Sequence, residues 1–151
     1  MRHSSELIVR APASEVAAVV SDLATYPHWN DLVREANPAE PADGDAGPAW
    51  DTTLQAQVGP FARSKKLRFV RDQLLDHHDE FTIRFVRAEV DGKDHAAWTM
   101  HVEVDPVANA SSLTLTLSYD GKLWVPALGN ILHSAIATAT ERLPDYLATR
   151  R

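Results

Sequence analysis

Arg87 and Glu89 are the residues whose types and spacing best suit chemistry. They follow Phe81, Ile83 and Phe85 at two-residue steps, so an unbroken strand would aim all five side chains at one face. A charged pair on an apolar face is tolerated when its members bind each other or a ligand. In such a place an arginine can hold a carboxylate or polarise a carbonyl, and the glutamate can orient it or act as a general base. If the strand bulges or leaves the sheet near Val86, both charges sit instead at a wet rim. Either way Arg87 and Glu89 are the candidate catalytic residues, placed at the mouth of an apolar interior.

The remaining chemistry-bearing residues converge less well. His77 and His78 are adjacent in a polar turn between Asp76 and Asp79. Neighbouring strand residues face opposite ways, and a zinc site needs three or four converging ligands, so no metal is expected. His101 has outward parity, His133 falls at the edge of a helical stripe, and His95 follows a turn; His95 and His133 are the two that face a possible entrance. Arg63, Lys65, Lys66, Arg68 and Arg71 interleave with Leu67, Phe69 and Val70, which reads as a solvated strand face and only secondarily as an anion or membrane contact. No nucleophile elbow, P-loop or dinucleotide fingerprint occurs, and no cofactor is called for. Cysteine is absent, which excludes thiol chemistry and thiolate metal sites.

The elements that would position these residues follow from periodicity. Leu7-Ile8-Val9 reads as a first strand. A short helix opens over Ala11-Pro12-Ala13-Ser14-Glu15, with proline in its first turn, and buries Val16, Val19, Val20 and Leu23. Pro27 breaks the next segment and delivers Tyr26 and Trp29 to a corner, with Trp29 structural. Leu32 to Ala36 is a short strand, and Asn37 to Pro48, rich in proline, glycine and acids, is a mobile surface loop. Strands then alternate strictly. Trp50, Thr52, Leu54, Ala56 and Val58 share a face, as do Leu67 and Phe69, then Trp98, Met100, Val102 and Val104, then Leu113, Leu115, Leu117 and Tyr119. Gly59-Pro60 turns the chain, and the segment from Gly59 to Arg63 is a second candidate lid. Period-two alternation predicts an antiparallel sheet with one wet and one buried face.

One long amphipathic helix from Leu123 to Thr149, roughly 27 residues or ~40 Å, covers that face. Its stripe is Trp124, Leu128, Ile131, Leu132, Ala135, Ile136, Ala139, Leu143, Tyr146 and Leu147, at helical spacing. Pro144 predicts a bend or break near Arg142 and a separate last turn. The fold class is therefore α+β, with six or seven strands, two short helices after the first strand and a long C-terminal helix. A curved sheet around a helix tends to leave a cavity between them.

At 151 residues with 44% hydrophobic and 24% charged residues, the chain is one ordinary globular domain spanning 1–151. The charge of −6, from 21 acidic and 15 basic residues, argues against nucleic acid as a partner. No signal peptide or membrane-spanning run is apparent, so a cytoplasmic protein without stable membrane insertion is expected.

Val9-Arg10-Ala11-Pro12-Ala13-Ser14-Glu15-Val16, then Ser21-Asp22-Leu23 and Tyr26-Pro27-His28-Trp29, and finally Tyr119-Asp120-Gly121 running into the last helix, carry a resemblance over essentially the whole chain. In these segments it resembles the START-like, or helix-grip, superfamily also called SRPBCC. The branch concerned is that of bacterial polyketide cyclase/dehydrase and lipid-transport proteins, which has coenzyme Q-binding relatives. The resemblance implies a ligand cavity of ~300–1,000 Å³ between sheet and helix. Its implied lining is Trp50, Leu54, Phe69, Phe85, Arg87, Glu89, Trp98, Met100, Leu115, Leu117, Tyr119, Leu128, Ile131, Leu132 and Ala135. Binding or transport of a hydrophobic small molecule such as a lipid, polyketide or quinone-like compound is the first function it implies. A polyketide cyclase or dehydratase is the second, and a protein-interaction module with a filled cavity is the third.

Overall fold

Alternating apolar residues make the sheet expected of them. The computed structural model describes residues 2–58, 60–120 and 128–150. It runs β1 (Arg2–Val9), α1 (Ala13–Val20), a 3-10 helix (Leu23–His28), β2 (Val33–Pro38), β3 (Ala49–Val58), β4 (Phe61–His77), β5 (Glu80–Arg87), β6 (Ala97–Val107), β7 (Ala110–Asp120) and α2 (Leu128–Thr149). Among the described residues the seven strands form one antiparallel sheet, ordered β1-β7-β6-β5-β4-β3-β2. From β2 to β7 it is a meander, so each strand finds its neighbour through a short connection, and β1 closes the β7 edge. β1 starts earlier than Leu7 because Ser4 and Ser5 pair without apolar alternation; Ser4 Oγ and Thr116 Oγ1 share a 2.8 Å hydrogen bond.

The inner face is buried along Ile83, Phe85, Met100, Val102, Val104 and Leu113. The corner after α1 plugs its centre. Tyr26 is fully buried, donates its hydroxyl to the Val20 carbonyl at 2.8 Å, and meets Phe85 edge-on with centroids 6.0 Å apart. Burial pushes its phenol far up, so it stays a neutral donor. Trp29 packs beside it as a structural residue, its indole nitrogen donating to Thr25 Oγ1 at 3.2 Å.

α2 presents Ala135, Ala139, Leu143 and Leu147 to the core at steps of four. The expected break near Arg142 does not occur: α2 continues through Pro144 to Thr149. Leu143 and Leu147 are buried on both sides of the proline, whose ring is exposed, so packing overrides the local preference. Arg142 and Thr138 also bind Asp31, and Tyr146 stacks on His28. The expected helix start at Leu123, with Trp124, lies outside the described residues.

Three further expectations are corrected. Phe61 to Arg63 belong to β4 and pair with β3 from Val58 onward, so the second candidate lid reduces to the turn at Pro60; Gly59 lies outside the described residues. The segment 39–48 is strapped to the sheet. Arg68, expected on a solvated face, is buried instead and grips Asp45 with both terminal nitrogens at 3.0 and 2.7 Å. It also donates to the Glu40 and Ala88 carbonyls. Gly47 lies so close to β4 that a Cβ there would sit 2.3 Å from the Arg71 carbonyl oxygen. Arg71 is half-buried, with its guanidinium on the Ser21 carbonyl. Only Arg63, Lys65 and Lys66 of the basic cluster are exposed.

The hydrogen bonds from Arg68 and from the Ala42 N–H hold the Asp45 carboxyl down at about 2 from its ordinary 3.8. A carboxylate depressed in the folded state stabilises above its unfolded value, and that contribution is lost as pH falls toward the folded one. Urea unfolding midpoints should therefore fall between about pH 4 and pH 2, and Asp45→Asn should flatten that part of the profile while lowering stability at pH 7.

Candidate functional site

Strand register gathers residues that parity alone leaves scattered. Trp50 pairs with Phe69, and Phe69 with Arg87; Trp98 pairs with Tyr119. The β5–β6 ladder reaches Val86 and Thr99, which puts Arg87 and Trp98 side by side one step further on. Trp50, Phe69, Arg87, Trp98 and Tyr119 thus form a single cross-strand row on the inner face. The next row is Arg71, Phe85, Met100, Leu117 and His3, and the one after it includes Ile83, Val102 and Leu115. Leu54 is buried two rows out, where the β3–β4 hairpin extends past the end of β5.

Against these rows lies, among the described residues, a cavity of about 30 Å³, far smaller than the expected volume, bounded by His3, Asn30, Leu32, Met100, Leu115, Thr116, Leu117 and Ala135. Met100, Leu115, Leu117 and Ala135 are four of the residues expected there. His3, Asn30 and Leu32 were not among them. His3 arrives because β1 extends to Arg2, and Asn30 and Leu32 arrive through the turn after the 3-10 helix, where the Asn30 side chain accepts from the Leu32 N–H at 2.9 Å. The side chains of Leu128, Ile131 and Leu132, assigned to the same wall, lie outside the described residues, as does Trp124.

Arg87 and Glu89 bind one another. β5 ends at Arg87, so Arg87 keeps the inward parity of Phe85 while Glu89 is off the strand. The Arg87 Nε donates to Glu89 Oε1 at 2.9 Å, and its Nη1 to the Ala96 carbonyl at 3.3 Å. The Arg87 side chain is 8% exposed and that of Glu89 20%. Glu89 Oε1 also accepts the Arg68 backbone N–H at 3.0 Å. A continuing β5 would have satisfied that donor; the carboxylate does so instead. The pair therefore ends the strand and neutralises itself beside the aromatic row.

Trp98 and Tyr119 contact each other with ring centroids 4.5 Å apart, and Trp50 meets Phe85 edge-on at 5.6 Å. Trp98 is 8% exposed, and its Nε1 has no hydrogen-bond partner among the described residues. His3 apart, the histidines singled out in the sequence do not line this cavity. His77 and His78 meet edge-on in the β4–β5 turn, and His95 binds Asp91 at 2.8 Å. Among the described residues no three metal-ligating side chains cluster.

Wider concavities lie elsewhere. A polar groove of about 360 Å³ runs past Glu35, Asn37, Asp51, Lys66 and Arg68, and one of about 550 Å³ past Arg10, Ser14, Asp79 and Asn109. Both are open to solvent, and neither offers the mainly apolar wall of the inner face. No described helix is long and apolar enough to cross a membrane.

The family described as polyketide cyclase / dehydrase and lipid transport matches residues 2–148. No curated protein matches the sequence. Among solved structures, a START superfamily protein from Mycobacterium smegmatis superposes with TM-score 0.70 at 14% identity, over 99% of both chains. The Zhui aromatase/cyclase from a Streptomyces species gives 0.66 at 12% identity, over 99% of this chain and 94% of that one. Human StAR-related lipid transfer protein 5 gives 0.71 at 12% identity, over 98% of this chain and 76% of that one. At such identities the likeness is one of fold.

The double role of Glu89 has a measurable consequence. Glu89→Ala should cost roughly 1–3 kcal/mol, because it strands both a β4 N–H and a half-paired guanidinium. Glu89→Gln, which keeps an acceptor oxygen, should cost clearly less. Urea denaturation of the two variants checks the order.

Proposed function

The chain belongs to the polyketide cyclase/dehydrase and lipid transport family of START-like proteins, and from that premise we propose that it binds and carries a hydrophobic small molecule between its sheet and α2. A lipid, a polyketide or a quinone-like compound has the required chemistry. The observation that carries this proposal is the inner face itself. Successive rows of apolar side chains, open toward a cavity at Met100, Leu115, Leu117 and Ala135, end in a row where Arg87, Trp98 and Tyr119 bring polar atoms. Apolar burial supplies the affinity, and the polar row orients one end of the ligand.

A binding role is favoured over a cyclase or dehydratase by the state of Glu89. Its Oε1 accepts from two donors, a backbone N–H and the Arg87 guanidinium, so the side chain already has a structural task where the β5 ladder ends. Arg87→Ala and Glu89→Gln separate the alternatives. An enzyme would lose turnover while keeping ligand affinity, and a carrier has no turnover to lose.

Native mass spectrometry of the purified protein, followed by solvent extraction of whatever is retained, is the direct check. A discrete mass above that of the bare chain is expected, with an extracted compound of predominantly apolar character. A bare mass, together with no uptake of a hydrophobic fluorophore, would contradict carriage and favour an interaction module with a filled interior.

A further inference from the structure

Four tryptophans occur in the chain, and two of them give an internal comparison. Trp29 is fully buried, and its Nε1 donates to Thr25 Oγ1 at 3.2 Å. Trp98 is more than nine-tenths buried, and its Nε1 has no partner among the described residues. An indole N–H can only donate, and a buried donor left unpaired is costly enough that folded proteins seldom keep one. A phenylalanine would fill the same place with no such cost. Trp98 sits one row from the cavity wall at Met100 and Leu117, in the row that also holds Arg87 and Tyr119. Arg87 there is committed to Glu89 and to the Ala96 carbonyl. Among the described residues, the Trp98 indole nitrogen is the buried side-chain donor in that row without a partner.

We infer that Trp98 Nε1 donates a hydrogen bond to an uncharged acceptor oxygen on the bound molecule, which is therefore an apolar compound bearing a carbonyl, hydroxyl or ether oxygen at the end nearest the Trp98–Tyr119 contact. This rests on the cavity binding proposed above and narrows the ligand class. The acceptor is uncharged because Arg87 and Glu89 form a salt bridge and leave the row with no net charge to balance a carboxylate. An ionised group placed there would be desolvated without a counter-ion.

Matched naphthalenes test it. Methyl naphthyl ketone and ethylnaphthalene differ by a carbonyl oxygen at nearly constant shape, and naphthoic acid supplies an ionised oxygen at pH 7. Wild-type protein should bind the ketone roughly 3- to 10-fold more tightly than ethylnaphthalene, the worth of one hydrogen bond, and more tightly than naphthoic acid. Trp98→Phe should lose that preference while keeping its affinity for ethylnaphthalene. In a nitrogen–proton spectrum of the wild-type protein, the Trp98 indole resonance, assigned by its contacts to neighbouring protons, should move with the ketone and stay nearly still with ethylnaphthalene; this readout needs no variant. Equal binding of ketone and ethylnaphthalene, a preference that survives in Trp98→Phe, or tightest binding of naphthoic acid would overturn the inference and leave cavity binding intact. Failure of all three to bind wild-type protein would overturn both.

Discussion

One constraint governs this molecule: a seven-stranded sheet with an apolar inner face must cover that face with non-sheet elements drawn from the ends of the chain. Burying such a face is the main favourable term in folding. The two short helices after β1 supply Val16, Val19, Val20 and Leu23, and the corner that follows drives Tyr26 and Trp29 under the sheet centre. α2 supplies Ala135, Ala139, Leu143 and Leu147. Ala135 of α2 faces the space bounded by Met100 and Leu117, and so small a side chain does not fill it. The cavity at Ala135 follows from that choice.

The polar devices of the fold all serve the same burial. Tyr26 spends its hydroxyl on the Val20 carbonyl, Thr25 bonds the Val19 carbonyl, and Arg71 bonds that of Ser21. Each satisfies a backbone acceptor at the end of α1, where the helix itself supplies none. Arg68 straps the segment 39–48 across the outer face. Glu89 closes the ladder where β5 stops. Against this consistent satisfaction, the unpaired Trp98 nitrogen stands out.

Much of this was legible in the sequence, for reasons that differ by residue. Inward parity of Phe85, Trp98, Met100, Leu115 and Leu117 is a local property of alternating strands, and the structure buries all five. Register is not local. That Trp50, Phe69, Arg87, Trp98 and Tyr119 share one row depends on turn lengths and a bulge between Arg71 and Gln73, which no single strand reveals. Arg68 was misplaced because its partner Asp45 lies 23 positions earlier, in a segment with no periodicity. Pro144 was misjudged because propensity speaks for an isolated helix, whereas Leu143 and Leu147 hold this one against the core. For Glu89 the sequence leaves two readings open, inward on an unbroken strand or at a rim beyond its end, and the strand ends at Arg87.

The central claim is that an apolar ligand occupies the space between the inner face and α2. Methionine offers a clean reporter, because the chain holds two, Met1 and Met100, and Met100 lines the cavity. With methyl-labelled methionine, titration with anilinonaphthalene sulfonate should shift the Met100 methyl resonance and give it through-space contacts to the aromatic protons of the probe. Binding of the probe with the Met100 methyl unchanged would place the ligand elsewhere and contradict the account.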